Sequence, residues 1–313
     1  MDRRRCHLYG RKAFGPSVSF IFAWTVTMII GSTACAIISR VMAGYLWAIF
    51  YDHDNHLFAN LTSIVVMALL CFVNLINPSY VLMLNRFNVC CKALAVLTVV
   101  AGGFYAMSMG QVSSQAFILE PLSFQKWTGF GEAVMVAAFA LGGWNFLNPL
   151  AENMAEPEKN IPKVYLSGLG LTMVLAILVN LAFYIVLPLQ ILVKSSSSLA
   201  GPFAAALLPG ACNGIMMGTA RCIQGNGRDG VLPAILGFET RRHKVPAVSV
   251  VFFTIWTCIQ LLLLSLNPEE AVSMAVTIYT VGQWSVFILV GFTYTRFCLH
   301  SLCFSRLQLL SLR

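Results

Sequence analysis

The stretch that decides the fold is residues 139–149, which read FALGGWNFLNP. It lies inside an apolar segment of the chain, yet it holds two consecutive glycines, two asparagines and a proline. Each glycine weakens a helix by about 1 kcal/mol relative to alanine, and Pro149 cannot donate the backbone bond that the Asn145 carbonyl would accept. The pattern therefore predicts a helix that is broken inside a membrane.

A break of this kind frees backbone N–H groups at one half-helix end and carbonyl groups at the other. At membrane depth, such groups are tolerated only where they line a cavity or are buried in protein. N–H groups suit an α-carboxylate and carbonyls suit an α-ammonium, so the break could hold a zwitterion without charged side chains. The alternative is a proline kink packed by neighbouring helices, and the residues alone leave both interpretations open.

The rest of the chain is also apolar. Of its 313 residues, 58% are hydrophobic and 10% are charged, whereas an average soluble domain has about 25% charged residues. A hydrocarbon core of about 30 Å needs about 20 helical residues per span, and no strand-like alternation is visible. We therefore predict an all-α membrane protein with about eight transmembrane helices. The predicted spans are residues 18–39, 61–84, 89–109, 133–150, 164–187, 199–223, 245–266 and 271–294.

The net charge of +8 follows from the arrangement of the loops. Basic residues concentrate in alternate loops and at both ends, while the intervening loops hold only Lys126 and Lys194. This positive-inside pattern predicts that both termini are cytoplasmic. We therefore expect a lipid bilayer and no nucleic acid as the partner of this basic chain. Arg40 fits neither set of loops, and we expect it to extend to the outer interface or to face a pathway.

The sequence shows no constellation of residues typical of an enzyme. The predicted spans contain no histidine, and no Ser/His/Asp or Cys/His arrangement suggests nucleophilic catalysis. The ten cysteines form no CxxC motif or zinc-ligand spacing. We expect no enzymatic activity, no metal site and no cofactor.

Several motifs together resemble a known family. They are residues 139–148 (FALGGWNFLN), 156–162 (EPEKNIP), 9–24 (YGRKAFGPSVSFIFAW), 212–214 (CNG) and 228–236 (RDGVLPAIL). The chain resembles the L-type amino acid transporters, which are light subunits of the heteromeric amino acid transporters in the amino acid–polyamine–organocation superfamily. The resemblance extends to about residue 297.

The resemblance implies a fold of twelve helices with two inverted five-helix repeats (5+5). On this alignment the eight spans correspond to family helices three to ten, and helices 1–2 and 11–12 are absent, so the chain looks truncated. We expect one transmembrane domain over residues 1–313. Residues 1–131 would hold family helices 3–5, residues 132–297 helices 6–10, and residues 298–313 a cytoplasmic tail.

The resemblance also implies a substrate site around the broken helix. Phe139 would be the gate aromatic, the unwound backbone would run from Ala140 to Gly143, and other residues would flank the substrate. The implied substrate-binding residues are Phe139, Ala140, Leu141, Gly142, Gly143, Trp144, Asn145, Asn213, Gln283 and Trp284. As alternatives, Trp144 and Trp284 would simply be large packing residues, and Asn145 would satisfy a neighbouring backbone group.

By resemblance, the expected function is transport of amino acids, above all neutral L-amino acids, by alternating access around Gly142 and Gly143. The alternative is a non-transporting relative that associates with or regulates a full-length transporter. Family members bind a single-span glycoprotein heavy chain through a cysteine in an outer loop, and residues 51–60 hold no cysteine. We therefore expect any such pairing to be non-covalent, in the plasma membrane.

Overall fold

The computed structural model describes residues 15–48, 50, 56–76, 78–112, 124–143, 156–188, 201–240, 245–266 and 271–310. Within these ranges the chain is helical and contains no β-strand. The helices are α1 (Pro16–Ala48), α2 (His56–Ile76), α3 (Pro78–Ser108), α4 (Phe124–Ala140), α5 (Pro157–Val186), α6 (Gly201–Arg228), α7 (Ala247–Leu264) and α8 (Ala271–Leu310). A short 3-10 turn, Ala234–Gly237, follows α6.

Six of these helices are long and apolar enough to cross a membrane. They are α1, α2, α5, α7 and the portions Met83–Ser108 of α3 and Val272–Thr295 of α8. The all-helical fold is thus confirmed, and six of the eight predicted spans overlap helices of the length and apolarity that a span needs. The other two stay predictions as spans: of residues 133–150 only 133–140 lie on α4 and 144–150 lie outside the described residues, and of residues 199–223 the described part, 201–223, lies on α6.

Helix α1 is the centre of the bundle, and its middle turn, Thr25–Gly31, is π-helical. A π-turn widens the helix and shifts its carbonyl groups out of the regular ladder. The Met28 carbonyl there accepts hydrogen bonds from Nε1 of Trp256 at 2.8 Å and Nε2 of Gln260 at 3.1 Å, both on α7, and from the Ser32 hydroxyl. The π-turn therefore joins α1 to α7 by polar contacts in an apolar core.

The main core lies where α1, α2, α6 and α7 meet. Cys35, Met67, Met216 and Phe253, one from each of these helices, are almost fully buried in it. Helices α1 and α6 approach very closely, because a Cβ atom at Gly31 would lie 2.5 Å from Oγ1 of Thr219. A second, smaller core joins α1 to α8 and to the end of α4.

Helices α3 and α5 pack against each other at the side of the bundle and expose most of their apolar side chains. Their contact is close at Gly103, where a Cβ atom would lie 2.5 Å from that of Ala182. In a membrane, exposed apolar faces of this kind are in contact with lipid chains.

The structure corrects the boundary of one predicted span. The predicted span 61–84 is wrong at its C-terminal end, because α2 ends at Ile76 and a new helix begins at Pro78. Pro78 suits the first position of a helix, where its missing N–H has no helical partner. The predicted span 271–294 matches the apolar portion Val272–Thr295 of α8, and the helix itself continues to Leu310.

The side chain of Arg40 is buried in the bundle, and its place relative to the outer interface stays a prediction. Its side chain is 7% exposed, and its guanidinium group donates a hydrogen bond to Nδ1 of His56 at 2.9 Å. His56 is the first residue of α2, so this contact links α1 to α2 near their connection.

Candidate functional site

The candidate site begins where α4 ends. The helix ends at Ala140, and the next three residues, 141–143, are not helical. Gly143 has φ +94°, a conformation that residues with a Cβ atom rarely adopt. The described residues therefore end the helix just before the glycine pair, and residues 144–149 of the predicted break lie outside them.

The end of α4 presents oxygen atoms to its surroundings. The Leu141 N–H donates to the Ala137 carbonyl at 2.9 Å, and the Gly142 N–H donates to the Phe139 carbonyl at 3.0 Å. Among the described residues, the carbonyls of Ala138 and Ala140 have no backbone donor beyond the end of the helix. This half of the break is consequently a helix C-terminus, where the backbone carries partial negative charge.

Tyr279 of α8 closes over this helix end. Its ring meets the ring of Phe139 edge to face, with centroids 4.9 Å apart and planes at 87°. A Cβ atom at Gly142 would lie 2.9 Å from the Tyr279 hydroxyl oxygen. Tyr279 is not among the residues that the sequence predicts for the site, although its position one helical turn before Gln283 places it on the same face of α8.

Gln283 and Trp284, which the resemblance placed beside the substrate, have different environments. Gln283 is 8% exposed, whereas Trp284 is half-exposed and meets the ring of Phe287 at 5.8 Å. Between Tyr279 and Gln283, Gly282 packs on the π-turn, where its Cβ atom would lie 3.2 Å from a methyl group of Ile29. Gln283 is thus on the buried side of α8, and the role of Trp284 beside a substrate stays a prediction.

Asn213 belongs to a buried amide cluster between α2, α3 and α6. Its Oδ1 accepts from Nδ2 of Asn74 at 2.6 Å, and its Nδ2 donates to Oδ1 of Asn85 at 3.0 Å. Nδ2 of Asn74 also donates to the Leu70 carbonyl at 2.7 Å, which fixes its orientation. Within the described ranges, no hydrogen bond joins Asn213 to the break, so its role beside a substrate stays a prediction.

Two predicted site residues, Trp144 and Asn145, lie outside the described residues. Of the other eight, the structure brings Phe139, Ala140, Leu141, Gly142 and Gly143 together with Tyr279. In the part of the chain that the structure describes, no group of three or more His, Cys, Asp or Glu side chains could hold a metal ion.

Comparison with known proteins identifies the family. A family model described as "Amino acid permease" matches residues 7–296, nearly the whole chain. The chain belongs to the amino acid permease family. Members of this family are transporters rather than enzymes, and this chain is a multi-pass membrane protein.

Several curated proteins are similar to this permease at about one residue in four. It is 26% identical over 271 residues to the b(0,+)-type amino acid transporter 1 of Mus musculus, covering 79% of this chain and 54% of the relative. It is 26% identical over 264 residues to the Homo sapiens cystine/glutamate transporter, covering 78% and 52%. It is 25% identical over 287 residues to the large neutral amino acids transporter small subunit 2 of Homo sapiens, covering 83% and 51%. The permease thus spans about half the length of these relatives.

Proposed function

We propose that this permease transports neutral L-amino acids by alternating access around the helix break at Gly142 and Gly143. The observation that carries the proposal is the end of α4 at Ala140, inside an apolar segment and under the ring of a buried tyrosine. A helix end in an apolar environment costs free energy unless its last carbonyl groups line a cavity or accept hydrogen bonds. A bound amino acid supplies that partner.

The polarity of this helix end supports an amino acid as the substrate. The C-terminal carbonyls of α4 favour a positive group, and the α-ammonium of an amino acid supplies one. The contacts at the break come from backbone oxygen atoms and aromatic side chains. Such a lining stabilises the charged main-chain groups of a substrate and leaves an apolar space for its side chain, which favours neutral amino acids.

The pair Phe139 and Tyr279 supports a gate at this position. The two rings join α4 to α8 by one edge-to-face contact, which is worth about 0.5–1.5 kcal/mol beyond its buried area. A contact of that strength can open and close at ordinary temperature. Separation of the rings would admit a substrate to the backbone oxygens, and their return would cover it.

The wider assembly is part of the same proposal. The eight helices would be family helices three to ten of an inverted-repeat fold, in the plasma membrane with both termini in the cytoplasm. One relative is named as a small subunit. By analogy, this permease would pair with a single-span heavy chain through non-covalent contacts, because residues 51–60 hold no cysteine.

Uptake of labelled L-leucine into proteoliposomes tests the proposal. The variant Gly142→Leu places a side chain where the Phe139 carbonyl and the Tyr279 hydroxyl leave no room, so uptake should fall to background. The matched control is Gly168→Leu on α5, where a Cβ atom meets nothing within 4 Å, and this variant should transport like the unmodified chain. Equal uptake by the two variants would refute the site. Absence of uptake by the unmodified chain, with co-purification of a full-length permease, would favour the regulatory alternative.

A further inference from the structure

Two large apolar side chains are exposed on the connection between α6 and α7. Ile235, in the 3-10 turn, is 61% exposed, and Phe238, directly after that turn, is 65% exposed. The apolar faces of α3 and α5 are exposed along helices long enough to cross a membrane, whereas these two side chains belong to a loop. Contact with lipid along a span therefore does not explain their exposure.

The connection that carries them is firmly held. Nε of Arg228 donates to the Gly237 carbonyl at 3.2 Å, and the Arg228 guanidinium group forms an ion pair with Glu239 at 2.6 Å. The backbone packs closely as well, because a Cβ atom at Gly227 would lie 2.6 Å from the Gly237 nitrogen. The two apolar side chains are thus presented to the outside by a packed turn.

This turn lies at the level of the membrane surface. Ser249, the third residue of α7, is fully buried, and its hydroxyl donates to the Leu236 carbonyl at 2.7 Å. Helix α7 has 18 residues. At 1.5 Å per residue it is about 27 Å long, just enough for a hydrocarbon core of about 30 Å. The start of α7 therefore lies at the boundary of that core, and the turn bonded to it lies there too.

The sequence that enters α7 at this boundary is basic. Residues 241–244 read RRHK, and residues 228–244 together hold four basic and two acidic side chains. The N–H and the hydroxyl of Thr240 both donate to the Val245 carbonyl, each at 2.9 Å. Both ends of the basic stretch are thereby fixed beside the turn and the start of α7.

Apolar side chains beside basic ones at a membrane boundary fit one kind of partner. Anionic lipids offer an acyl boundary to the apolar groups and a negative headgroup to the cations. An aromatic side chain is also favoured at the depth of the headgroups.

We propose that the connection between α6 and α7 binds anionic lipid headgroups of the bilayer. Ile235 and Phe238 insert at the acyl boundary, and the charge of residues 241–244 attracts the headgroups. The interaction fixes the end of α6 to the membrane surface and makes its position sensitive to the lipid charge. The inference does not depend on transport, so its failure would leave the proposed function intact.

Quenching of tryptophan fluorescence by brominated lipids tests the inference. The variant Phe238→Trp is reconstituted into phosphatidylcholine nanodiscs that contain the same minor fraction of either brominated phosphatidylserine or brominated phosphatidylcholine. After subtraction of the signal of the unmodified chain, both lipids should quench the introduced tryptophan. Phosphatidylserine should quench it roughly twofold more or better, because basic residues enrich anionic lipid around them. This excess should disappear at about 1 M salt, where electrostatic attraction is screened within about 3 Å.

The matched control is Phe292→Trp, at a side chain that is 63% exposed within the apolar portion of α8. Its tryptophan should be quenched equally by the two lipids. Adding Arg241→Gln and Arg242→Gln to Phe238→Trp should remove the excess quenching by phosphatidylserine. Absence of quenching at position 238 would overturn the inference and indicate that protein covers this turn. Equal quenching there by the two lipids, or an excess that survives the loss of both arginines, would overturn it as well.

Discussion

The two glycines of the break should respond differently to the same substitution, because they are glycines for different reasons. At Gly142 the limit is space: a Cβ atom would lie 2.9 Å from the backbone oxygen of Phe139, about half an ångström inside ordinary contact. At Gly143 the limit is conformation, since φ is +94° and nothing lies within 4 Å. Gly142→Ala should therefore fill the site, and Gly143→Ala should strain the backbone while leaving the site open.

The magnitudes follow from these two causes. Overpacking by the new methyl group costs about 1–3 kcal/mol. Replacing glycine by alanine also restricts the unfolded chain, which recovers about 0.4–1 kcal/mol. Gly142→Ala should therefore lower the free energy of unfolding by about 1–2 kcal/mol. A left-handed alanine at residue 143 costs a similar amount, about 1–2 kcal/mol. The two variants should thus have comparable stability and differ in function.

Thermal unfolding followed by size-exclusion chromatography, together with the KM for leucine uptake, separates the two effects. Both variants should show a lowered unfolding midpoint. Gly142→Ala should raise the KM roughly tenfold or more, whereas Gly143→Ala should keep it within about twofold of the unmodified chain. An unchanged KM for leucine in Gly142→Ala would refute the reasoning. So would a KM that rises in both variants in step with their loss of stability.

Three further predictions concern the helices around the site. Gly31→Ala should destabilise the bundle by about 1–3 kcal/mol, because Thr219 occupies the space that the new methyl group needs. In a double-mutant cycle, Thr219→Ala should restore part of that loss. Additive effects of the two substitutions would contradict the close α1–α6 contact. Asn213→Ala should lower the unfolding midpoint by leaving Nδ2 of Asn74 with fewer acceptors, at a cost of about 1–2 kcal/mol, without changing the KM; a raised KM with normal stability would instead place Asn213 at the substrate. Trp284→Ala should leave the KM for leucine unchanged, since its ring is half-exposed and contacts Phe287, and a large rise would show that it reaches the substrate.

The membrane class and most helices were predictable because the physical requirement is simple. A span needs a long apolar run, and such runs are visible in the sequence without knowledge of the neighbours. The error at residues 61–84 was avoidable, since Pro78 marks a helix boundary and the apolar run simply continues across it. The π-turn Thr25–Gly31 was not predictable, because its residues are ordinary helix residues and its Met28 carbonyl is satisfied by a distant helix.

The break itself was predictable for the same local reason, since paired glycines and Pro149 weaken a helix wherever it lies. The residue that faces the break was not. Tyr279 is distant in sequence, and only the packing of α8 against α1 and α4 brings its hydroxyl to Gly142. The hydrogen bonds of Asn213 to two other asparagines were not predictable either, because a single sequence does not reveal which helices pack together.

The central claim is that an amino acid binds at the end of α4. Photo-crosslinking with photo-leucine, followed by peptide mass spectrometry, tests it most directly. The label should attach to residues 139–143 or to Tyr279, and an excess of unlabelled leucine should prevent the attachment. Labelling confined to the exposed faces of α3 and α5, with no protection by leucine, would contradict the account.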